Sequence, residues 1–389
     1  MSTRPHVVVV GAGAFGGWTA LTLARRGARV TLVDAWGPGH VRASSGGETR
    51  VIRAGYGARA VYTRMAVRAL ALWRAHDARY GRRLFRQTGA LWLAPAPRSA
   101  GSGFARDTFA TLQSEGVAVR SLTPSEAARM YPALDFSRIT TVLLEPDAGY
   151  LLARRACEHV VECLIAEGGE YRQAAVASPA RLTRSKLQLE GGETIAGDAF
   201  VFACGPWMGT LFPEIIGKRV ISTRQEVFYI GTPAGDRRFH DDALPVWVEL
   251  GASLIYAIPG NANRGLKIGD DTSGPVFDPT NGDRQITGSG LKAIRAYLRR
   301  RLPALAKAPL VGSEVCQYEA TPDSHYIVDR HPSLLNVWLA GGGSGHGFKM
   351  GPAIGEIVTA AVLDSVAPDP TFALARLRSP RRAADTKWA

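Results

Sequence analysis

The stretch His6–Gly16 reads HVVVVGAGAFG, and it decides how the beginning of the chain folds. Four consecutive valines predict a buried strand, and the glycines after them predict a tight turn into a helix over Ala14–Arg26. A second apolar run, Val30–Val33, follows that helix and ends at Asp34. A strand, a glycine-rich turn, a helix, a second strand and an acid in this order are typical of a βαβ unit that binds a dinucleotide.

Each glycine of this turn has a physical role in such a unit. Gly11 makes the tight turn, Gly13 lets a pyrophosphate approach the backbone, and Gly16 lets the helix pack closely on the sheet. The N-terminus of the helix offers free N–H groups to the phosphates. Asp34 is placed to accept hydrogen bonds from a ribose diol, which argues against NADP but does not separate NAD from FAD.

Composition limits the classes of protein to consider. The chain has 389 residues, of which 46% are hydrophobic, so it can bury one large core or two. The net charge is +13, but the arginines are scattered without an aromatic-interleaved basic stripe, so we expect no nucleic-acid partner. No apolar run reaches the length of a membrane span, so we expect no membrane association.

The cysteines and the N-terminus indicate where the protein resides. The opening valine run passes directly into the glycine turn, so it is interpreted as a strand rather than a signal peptide. The cysteines form no CxxC pair and no disulfide framework, which is typical of reduced thiols in the cytoplasm; they are Cys157, Cys163, Cys204 and Cys316. We expect no metal site.

The order of elements along the chain predicts two domains. After the first βαβ unit, Leu151–Glu167 is predicted as a helix and Thr223–Asp270 as mostly strands. A short strand at Val337–Ala340 and a terminal helix at Pro352–Leu363 return to the α/β pattern. An α/β beginning and end around a β-rich middle favour two domains that are discontinuous in sequence. Pro95–Gly103 is interpreted as a surface connection.

Several further motifs resemble one family. Ser45–Arg53 contains a T-R-x-x-R pattern that resembles monomeric sarcosine oxidase and its relatives, N-methyltryptophan oxidase and pipecolate oxidase. Gly265–Gly269 is similar to that family's lysine strand. The C-terminal segments resemble its flavin-attachment region and its last flavin-contacting loop and helix; they are Cys316–Tyr318, Thr321–Asp323, Ile327–Pro332, Gly343–Lys349 and Gly355–Glu356.

The resemblance implies an α/β (α+β) fold with a Rossmann-type FAD-binding domain and a largely antiparallel substrate domain. Applied to this chain, it assigns residues 1–85, 151–219 and 322–389 to FAD binding, and residues 86–150 and 220–321 to the substrate domain. It also implies a thioether bond between Cys316 and the flavin; the alternative is a buried free cysteine. The implied FAD-contacting residues are Gly11, Gly13, Phe15, Gly16, Asp34, Thr49, Arg50, Cys204, Gly205, Trp207, Cys316, Gly343, Gly345, Gly347, Phe348 and Lys349.

Three residues are implied to act in catalysis. Lys267 resembles the lysine that promotes reaction with O2, since a fixed cation stabilises the charge that develops there. The alternative is a lysine at a sheet edge that faces water. Arg50 resembles the arginine beside the flavin ring. His346 lies in a glycine-rich loop and either contacts the flavin or has a structural role.

Three residues are implied to bind substrate. Arg53 and Lys349 resemble the pair that holds a substrate carboxylate, for which the planar fork of arginine is suited. A structural salt bridge is the alternative for Arg53. Tyr256 is expected to touch the substrate, with core packing as its alternative. Members that oxidise sarcosine carry histidines where this chain has Ser45, Gly46 and, nearby, Asp271, which puts sarcosine itself in doubt.

We therefore expect a monomeric, cytoplasmic flavoenzyme that oxidises a secondary amine or amino acid, either N-methylated or cyclic, to an imine and reduces O2 to H2O2. One alternative is a dehydrogenase that passes its electrons to another acceptor. A second is a biosynthetic tailoring enzyme that oxidises a larger amine. A third is a non-catalytic protein that binds a dinucleotide or a nucleic acid.

Overall fold

The structure is a computed structural model that describes residues 4–95 and 101–378. The predicted connection Pro95–Gly103 and a basic C-terminal tail after Arg376 lie partly outside these residues. In chain order the strands are β1 His6–Val10, β2 Arg29–Asp34, β3 Thr49–Ile52, β4 Phe85–Gln87, β5 Ala90–Pro95, β6 Arg120–Leu122, β7 Ile139–Glu145, β8 Gly149–Leu152, β9 Glu170–Gln173, β10 Lys186–Gln188, β11 Thr194–Ala196, β12 Ala199–Phe202, β13 Ile221–Ile230, β14 Val246–Glu249, β15 Ile255–Ile258, β16 Leu266–Asp270, β17 Leu310–Ala320, β18 Ile327–Arg330 and β19 Val337–Gly341.

The helices lie between these strands and pack on the sheets. In chain order they are α1 Ala14–Arg25, α2 Ala60–Tyr80, α3 Ser102–Ser114, α4 Pro124–Met130, α5 Ala153–Ala166, α6 Met208–Leu211, α7 Gly288–Arg301 and α8 Gly351–Leu363. The predicted helix Leu151–Glu167 begins only at Ala153, because the residues before it pair with β3 and β4 as strand β8.

The first large sheet contains the predicted βαβ unit. Its strand order is β18-β19-β12-β1-β2-β9, and all pairs are parallel except β18 with β19. Gly11 has φ +106°, and a Cβ there would lie 2.4 Å from the carbonyl oxygen of Ala203. A Cβ on Gly16 would lie 1.8 Å from the carbonyl oxygen of Gly11. The turn therefore brings α1 and β12 together only because these positions are glycines.

The second large sheet has the order β17-β13-β16-β15-β14-β5-β7-β6. Its pairs are antiparallel except β14 with β5. A smaller sheet, β3-β8-β4, carries the T-R-x-x-R motif. The smaller sheet crosses the predicted domain boundaries at 85–86 and 150–151, so the exact boundaries stay a prediction. The fold class is confirmed: a mixed α/β architecture with a mainly parallel sheet and a mainly antiparallel one.

Candidate functional site

A cavity of about 780 Å³ lies between the glycine turn of the first sheet and one face of the second. This volume falls in the range of roughly 300–1,000 Å³ that small-molecule and cofactor sites have. The segments that line it come from the beginning, the middle and the end of the chain. Of the predicted site residues, those that line it are Gly11, Gly13, Phe15, Asp34, Arg50, Arg53, Cys204, Gly205, Trp207, Tyr256, Cys316, Gly343, Gly345, His346, Gly347, Phe348 and Lys349.

The predicted site residues that do not line the cavity are Gly16, Thr49 and Lys267. Gly16 affects the cavity only indirectly, because it allows α1 to pack closely on the glycine turn. Thr49 and Lys267 contact each other, because the Lys267 ammonium donates a hydrogen bond of 2.7 Å to the Thr49 carbonyl oxygen. Arg50, which does line the cavity, donates to the same carbonyl oxygen, so Thr49 and Lys267 lie next to it.

The carboxylate of Asp34 is held next to the glycine turn by hydrogen bonds. One oxygen accepts a hydrogen bond of 2.7 Å from the Ala12 N–H, and the other accepts from the N–H groups of Trp36 and Gly37 at 2.9 and 2.7 Å. The oxygen bonded to Ala12 has a further lone pair available, whereas the other already accepts two hydrogen bonds. The position at the end of β2 and the held orientation suit a ribose diol, as the βαβ pattern predicts.

The cavity wall also contains polar atoms without partners. Ser44 Oγ and Glu319 Oε2 are buried, and neither has a hydrogen-bond partner among the described residues. A buried polar atom that stays unsatisfied costs about 1–3 kcal/mol. Such atoms, together with the open backbone at Gly11 and Gly13, fit a ligand that carries hydroxyl and phosphate groups, which a flavin dinucleotide does.

Arg50 and Cys316 meet at the cavity, although they come from different sheets. Arg50 is on β3, and its guanidinium donates to the carbonyl oxygens of Thr49 and Ser44 at 2.9 and 2.7 Å. Cys316 is on β17, and its Sγ lies 3.5 Å from the Arg50 guanidinium. The thiol of Cys316 therefore lies beside a fixed cation at the cavity.

Lys267 is buried in the middle of the second large sheet. Its strand β16 lies between β13 and β15, and its side chain is only 2% exposed. The alternative of an edge lysine that faces water is therefore excluded. Burial, together with the nearby Arg50 charge, lowers the pKa of Lys267 to about 7. An anion bound nearby would restore its charge.

Arg53 and Lys349 contact the same tyrosine. The Arg53 guanidinium lies 4.5 Å from the ring centroids of both Tyr56 and Trp92, and it donates to the Gly55 carbonyl oxygen. The Lys349 ammonium donates to Tyr56 Oη and to the His346 carbonyl oxygen, both at 2.9 Å. Both cations are nearly buried, with exposed fractions of 6% and 4%. Tyr56, which the sequence analysis did not single out, is the centre of this group.

Glu145 holds the loop that carries Arg53. Its carboxylate accepts hydrogen bonds from the N–H groups of Ala54 and Gly55 at 2.7 and 3.1 Å, and from the Trp92 indole at 2.6 Å. This fixes both the backbone after Arg53 and the ring on which its guanidinium stacks. Sequence reasoning missed Glu145, and the available signal was an acid directly after the apolar run Val142–Leu144 at the end of β7.

The hydrogen bonds of His346 determine its tautomer. Its Nε2 lies 3.0 Å from the Ser324 carbonyl oxygen, which only accepts, so Nε2 carries the proton. Its Nδ1 then accepts from the Tyr326 hydroxyl at 2.6 Å. Both ring nitrogens therefore have protein partners. A catalytic role for His346 stays a prediction.

Tyr256, Tyr318 and Asp271 form a polar wall of the cavity. The Tyr318 hydroxyl donates a hydrogen bond of 2.6 Å to Asp271 Oδ1. Tyr318 is two residues after Cys316 on β17, and this spacing places both on one face of the strand. The sequence contained that signal for Tyr318, which the analysis quoted within a motif but assigned no role.

Glu319 is a buried acid that sequence reasoning missed. It is 8% exposed, and its Oε1 accepts a hydrogen bond of 3.1 Å from the Gly343 N–H. Burial raises the pKa of Glu319 to about 7, although the N–H groups of Gly343 and Gly342 oppose the rise. The residue lies between the two quoted motifs Cys316–Tyr318 and Thr321–Asp323, so its signal was an acid inside a flavin-attachment pattern.

Comparison with known proteins gives a consistent result. A family model described as FAD dependent oxidoreductase matches residues 6–361. Monomeric sarcosine oxidase from Bacillus sp. (strain B-0618) is 28% identical over 367 residues, which cover 93% of each chain. N-methyl-L-tryptophan oxidase from Yersinia pestis (strain Pestoides F) is 25% identical over 385 residues, which cover 96% of this chain and 99% of the relative.

The fold is also found among solved structures. The L-proline dehydrogenase from P. horikoshii superposes with a TM-score of 0.83 at 21% identity, covering 97% of this chain and 99% of that one.

Within residues 4–95 and 101–378, no helix combines the length and the apolar character that crossing a bilayer requires.

Glu319 gives the flavin-free protein a specific pH dependence. Below pH 4.5 the carboxyl is protonated in the folded and unfolded states and contributes nothing. Between pH 4.5 and about 7 the unfolded chain ionises while the folded one does not, so stability falls as pH rises. Above pH 7 the loss stays at about 3 kcal/mol. We expect Glu319→Gln to remove this loss, measured by urea unfolding at pH 4.5 and 8. The difference between the unfolding free energies of the two proteins removes the contribution of all other titrating groups. If this difference were the same at both pH values, the assignment would be contradicted.

Proposed function

The chain belongs to the FAD-dependent oxidoreductase family, and on that premise we propose that it oxidises the C–N bond of a secondary amino acid, with FAD attached through Cys316 and O2 as the final electron acceptor. The family membership establishes the enzyme class and the cofactor. The substrate class, the covalent bond and the use of O2 are our proposals.

The observation that carries the proposal is the pair of nearly buried cations around Tyr56. Arg53 and Lys349 both contact this tyrosine at the cavity. Like charges that share a site in a medium of low dielectric repel each other strongly, so an anion that enters between them is bound favourably. A carboxylate matches the guanidinium fork in shape and charge. The relatives named above are named for sarcosine and N-methyl-L-tryptophan, which are both N-methyl amino acids with a carboxylate.

Bound FAD supplies the acceptor for the two electrons that leave the substrate. The residues of the chain position the reactants. Asp34 and the N-terminus of α1 hold the dinucleotide end. Arg53 and Lys349 anchor the carboxylate, so the amine carbon is presented in one orientation. The rings of Tyr256, Tyr318 and Phe348 line the cavity and displace water from it.

The cationic wall behind the cavity supports an oxidase over a dehydrogenase. The buried Lys267 and the cavity-lining Arg50 both donate to the Thr49 carbonyl oxygen. A preorganised positive charge stabilises the negative charge that develops as O2 accepts electrons. The similarity to a proline dehydrogenase, at 21% identity, concerns the fold alone.

A larger or more polar amine is the second candidate substrate. Asp271 places a carboxylate in the cavity wall, where Tyr318 holds it. A carboxylate attracts a substrate that carries an additional hydrogen-bond donor or cation. Oxidation of N-methyl glycine, of larger N-methyl amino acids and of cyclic imino acids, compared by kcat/KM, separates these possibilities.

Further features of the proposal concern the whole protein. We propose the FAD-binding segments 1–85, 151–219 and 322–389 and the substrate segments 86–150 and 220–321 as its two domains. We also propose that the enzyme is a monomer, as the name of the Bacillus relative says of that protein. A cytoplasmic location is supported by the four cysteines, none of which forms a disulfide.

The carboxylate anchor predicts how Arg53 variants bind simple acids. We expect acids without an amine to compete with substrate and to perturb the flavin spectrum of the wild type. Arg53→Ala should weaken them about 30- to 150-fold, the equivalent of roughly 2–3 kcal/mol for a charge-assisted bidentate contact. Arg53→Lys should recover part of the affinity. The exposed Arg68→Ala is the control, and equal affinity in all four proteins would remove the anchor and the amino-acid substrate with it.

The role of Lys267 predicts a separation of the two half-reactions. In Lys267→Met, we expect substrate to reduce the flavin at a modestly altered rate, whereas reoxidation by O2 slows about 10²- to 10³-fold through the loss of roughly 3–4 kcal/mol of charge stabilisation. Stopped-flow measurements under anaerobic and aerobic conditions test this, with exposed Lys292→Met as control. The wild type should form one H2O2 per amine oxidised. Unchanged reoxidation in Lys267→Met would rule out the role.

Covalent attachment predicts where the yellow colour goes on acid precipitation. Flavin should stay with the wild-type pellet, because the thioether survives denaturation. It should pass into the supernatant for Cys316→Ala, which keeps the non-covalent contacts. Cys204→Ser is the matched control, since Cys204 also lines the cavity. Flavin that remains with denatured Cys316→Ala would show that another residue forms the bond, and flavin released from the denatured wild type would show that no bond forms.

A further inference from the structure

Two helices bring three metal-binding side chains together away from the cavity. His76 is on α2, and His159 and Cys163 are four residues apart on α5, a spacing that places both on one face of the helix. Their nitrogen and sulfur atoms all lie within 4.8 Å of one another. All three are buried, with exposed fractions of 3%, 8% and 3%, and none of them lines the cavity.

The separation of the two donors on α5 matches a tetrahedral metal. Cys163 Sγ lies 3.5 Å from His159 Nε2. A zinc ion with bonds of about 2.0–2.1 Å to nitrogen and about 2.3 Å to sulfur holds such ligands roughly 3.5 Å apart. All the ligand atoms of the cluster, including those of His76, lie within 4.8 Å of one another.

A carboxylate orients one of the histidines for this task. Glu162 Oε2 lies 3.3 Å from His159 Nδ1. A carboxylate accepts at this distance, so Nδ1 carries the proton and the Nε2 lone pair points toward Cys163. A carboxylate behind a ligating histidine is the usual outer partner in metal sites, where it fixes the ring and raises its basicity.

His76 is the second, independent sign of a ligand. Neither of its ring nitrogens has a hydrogen-bond partner among the described residues, although the side chain is 97% buried by the exposure given above. Its surroundings are rings: the centroids of Trp18, Tyr80 and His159 lie 4.8, 4.8 and 5.1 Å away. A buried imidazole whose ring nitrogens have no partner has a lone pair available for a metal ion.

The charges around the cluster are balanced. Arg25 and Arg79 are the nearby cations, and both pair with Glu167, at 2.9 and 3.5 Å. Glu167 also accepts from the Tyr80 hydroxyl. Together with Glu162 they leave no excess positive charge of the kind that would repel an incoming divalent ion.

We propose that His76, His159 and Cys163 bind a zinc-class divalent cation that ties α2 to α5. Two imidazoles and a thiolate are the donors that such an ion prefers, and they supply three of its four ligands. The sequence pointed to no metal, because the donors come from helices that are far apart in the chain and form no CxxC or paired-histidine motif. The site is independent of the proposed function.

Zinc uptake by the flavin-loaded enzyme tests the proposal. The enzyme is stripped with a chelator, dialysed against buffered micromolar Zn²⁺, and its bound metal is measured. We expect one zinc per wild-type chain, and the same for Cys157→Ser, which alters another buried cysteine of α5. Cys163→Ser and His76→Gln should bind essentially none. Glu162→Gln should bind about 10-fold more weakly, as expected for the loss of an outer partner.

A second measurement guards against variants that fail to fold. The flavin spectrum and the melting temperature without metal report on folding, and Zn²⁺ should raise the melting temperature of the wild type and of Cys157→Ser, but not that of Cys163→Ser or His76→Gln. Co²⁺ should give the wild type a thiolate-to-cobalt absorption in the difference spectrum that Cys163→Ser lacks. A wild type that takes up no zinc overturns the proposal. So does equal uptake by a folded Cys163→Ser variant, which would mean an adventitious surface ion only.

Discussion

The cavity depends on cationic side chains that the fold buries away from water. A buried arginine elsewhere shows the structural solution: Arg301 forms two hydrogen bonds of 2.9 Å with the carboxylate of Glu249, so its charge is neutralised within the protein. Lys267 is equally buried, but its hydrogen-bond partner is the Thr49 carbonyl, and no ion pair forms to it among the described residues. A carbonyl offers a dipole rather than a charge. The cavity therefore keeps a positive potential that an anionic cofactor and substrate can use.

The part of the fold that could be predicted is the part that local sequence controls. The valine run, the glycine turn and Asp34 are contiguous, so their spacing alone defines the βαβ unit. Lys267 was identified from the resemblance of Gly265–Gly269 to the family's lysine strand, because the alternation of Leu266, Lys267 and Ile268 alone is also compatible with a lysine that faces water. The boundary of α5 was wrong by two residues, because pairing of Leu151 and Leu152 with β3 overrides their helical preference.

The residues that sequence reasoning missed are those whose environment comes from distant segments. Tyr56 becomes the centre of the cation group only because Lys349, which is 293 residues further along the chain, reaches its hydroxyl. Glu145 is a structural clamp because Trp92 and the loop after Arg53 converge on it. Glu319 acquires its raised pKa from burial against the glycine loop at Gly343. These contacts could not be predicted from local sequence patterns, because each residue lies in a segment that contains no sign of its distant partner.

Helix α1 connects the cavity to the proposed metal cluster. Its N-terminus faces the cavity, where the Ala14 N–H donates to Ser45 Oγ at 3.1 Å. Further along, Trp18 packs edge-on against both Trp73 and His76 of α2, and α8 lies close to it because Gly351 and Gly355 carry no side chains. The orientation of the N–H groups offered to a phosphate is therefore set by the helices that enclose α1. A metal ion that links α2 to α5 would restrain the helices packed around α1. The dinucleotide site would then owe part of its rigidity to residues that do not contact the cofactor.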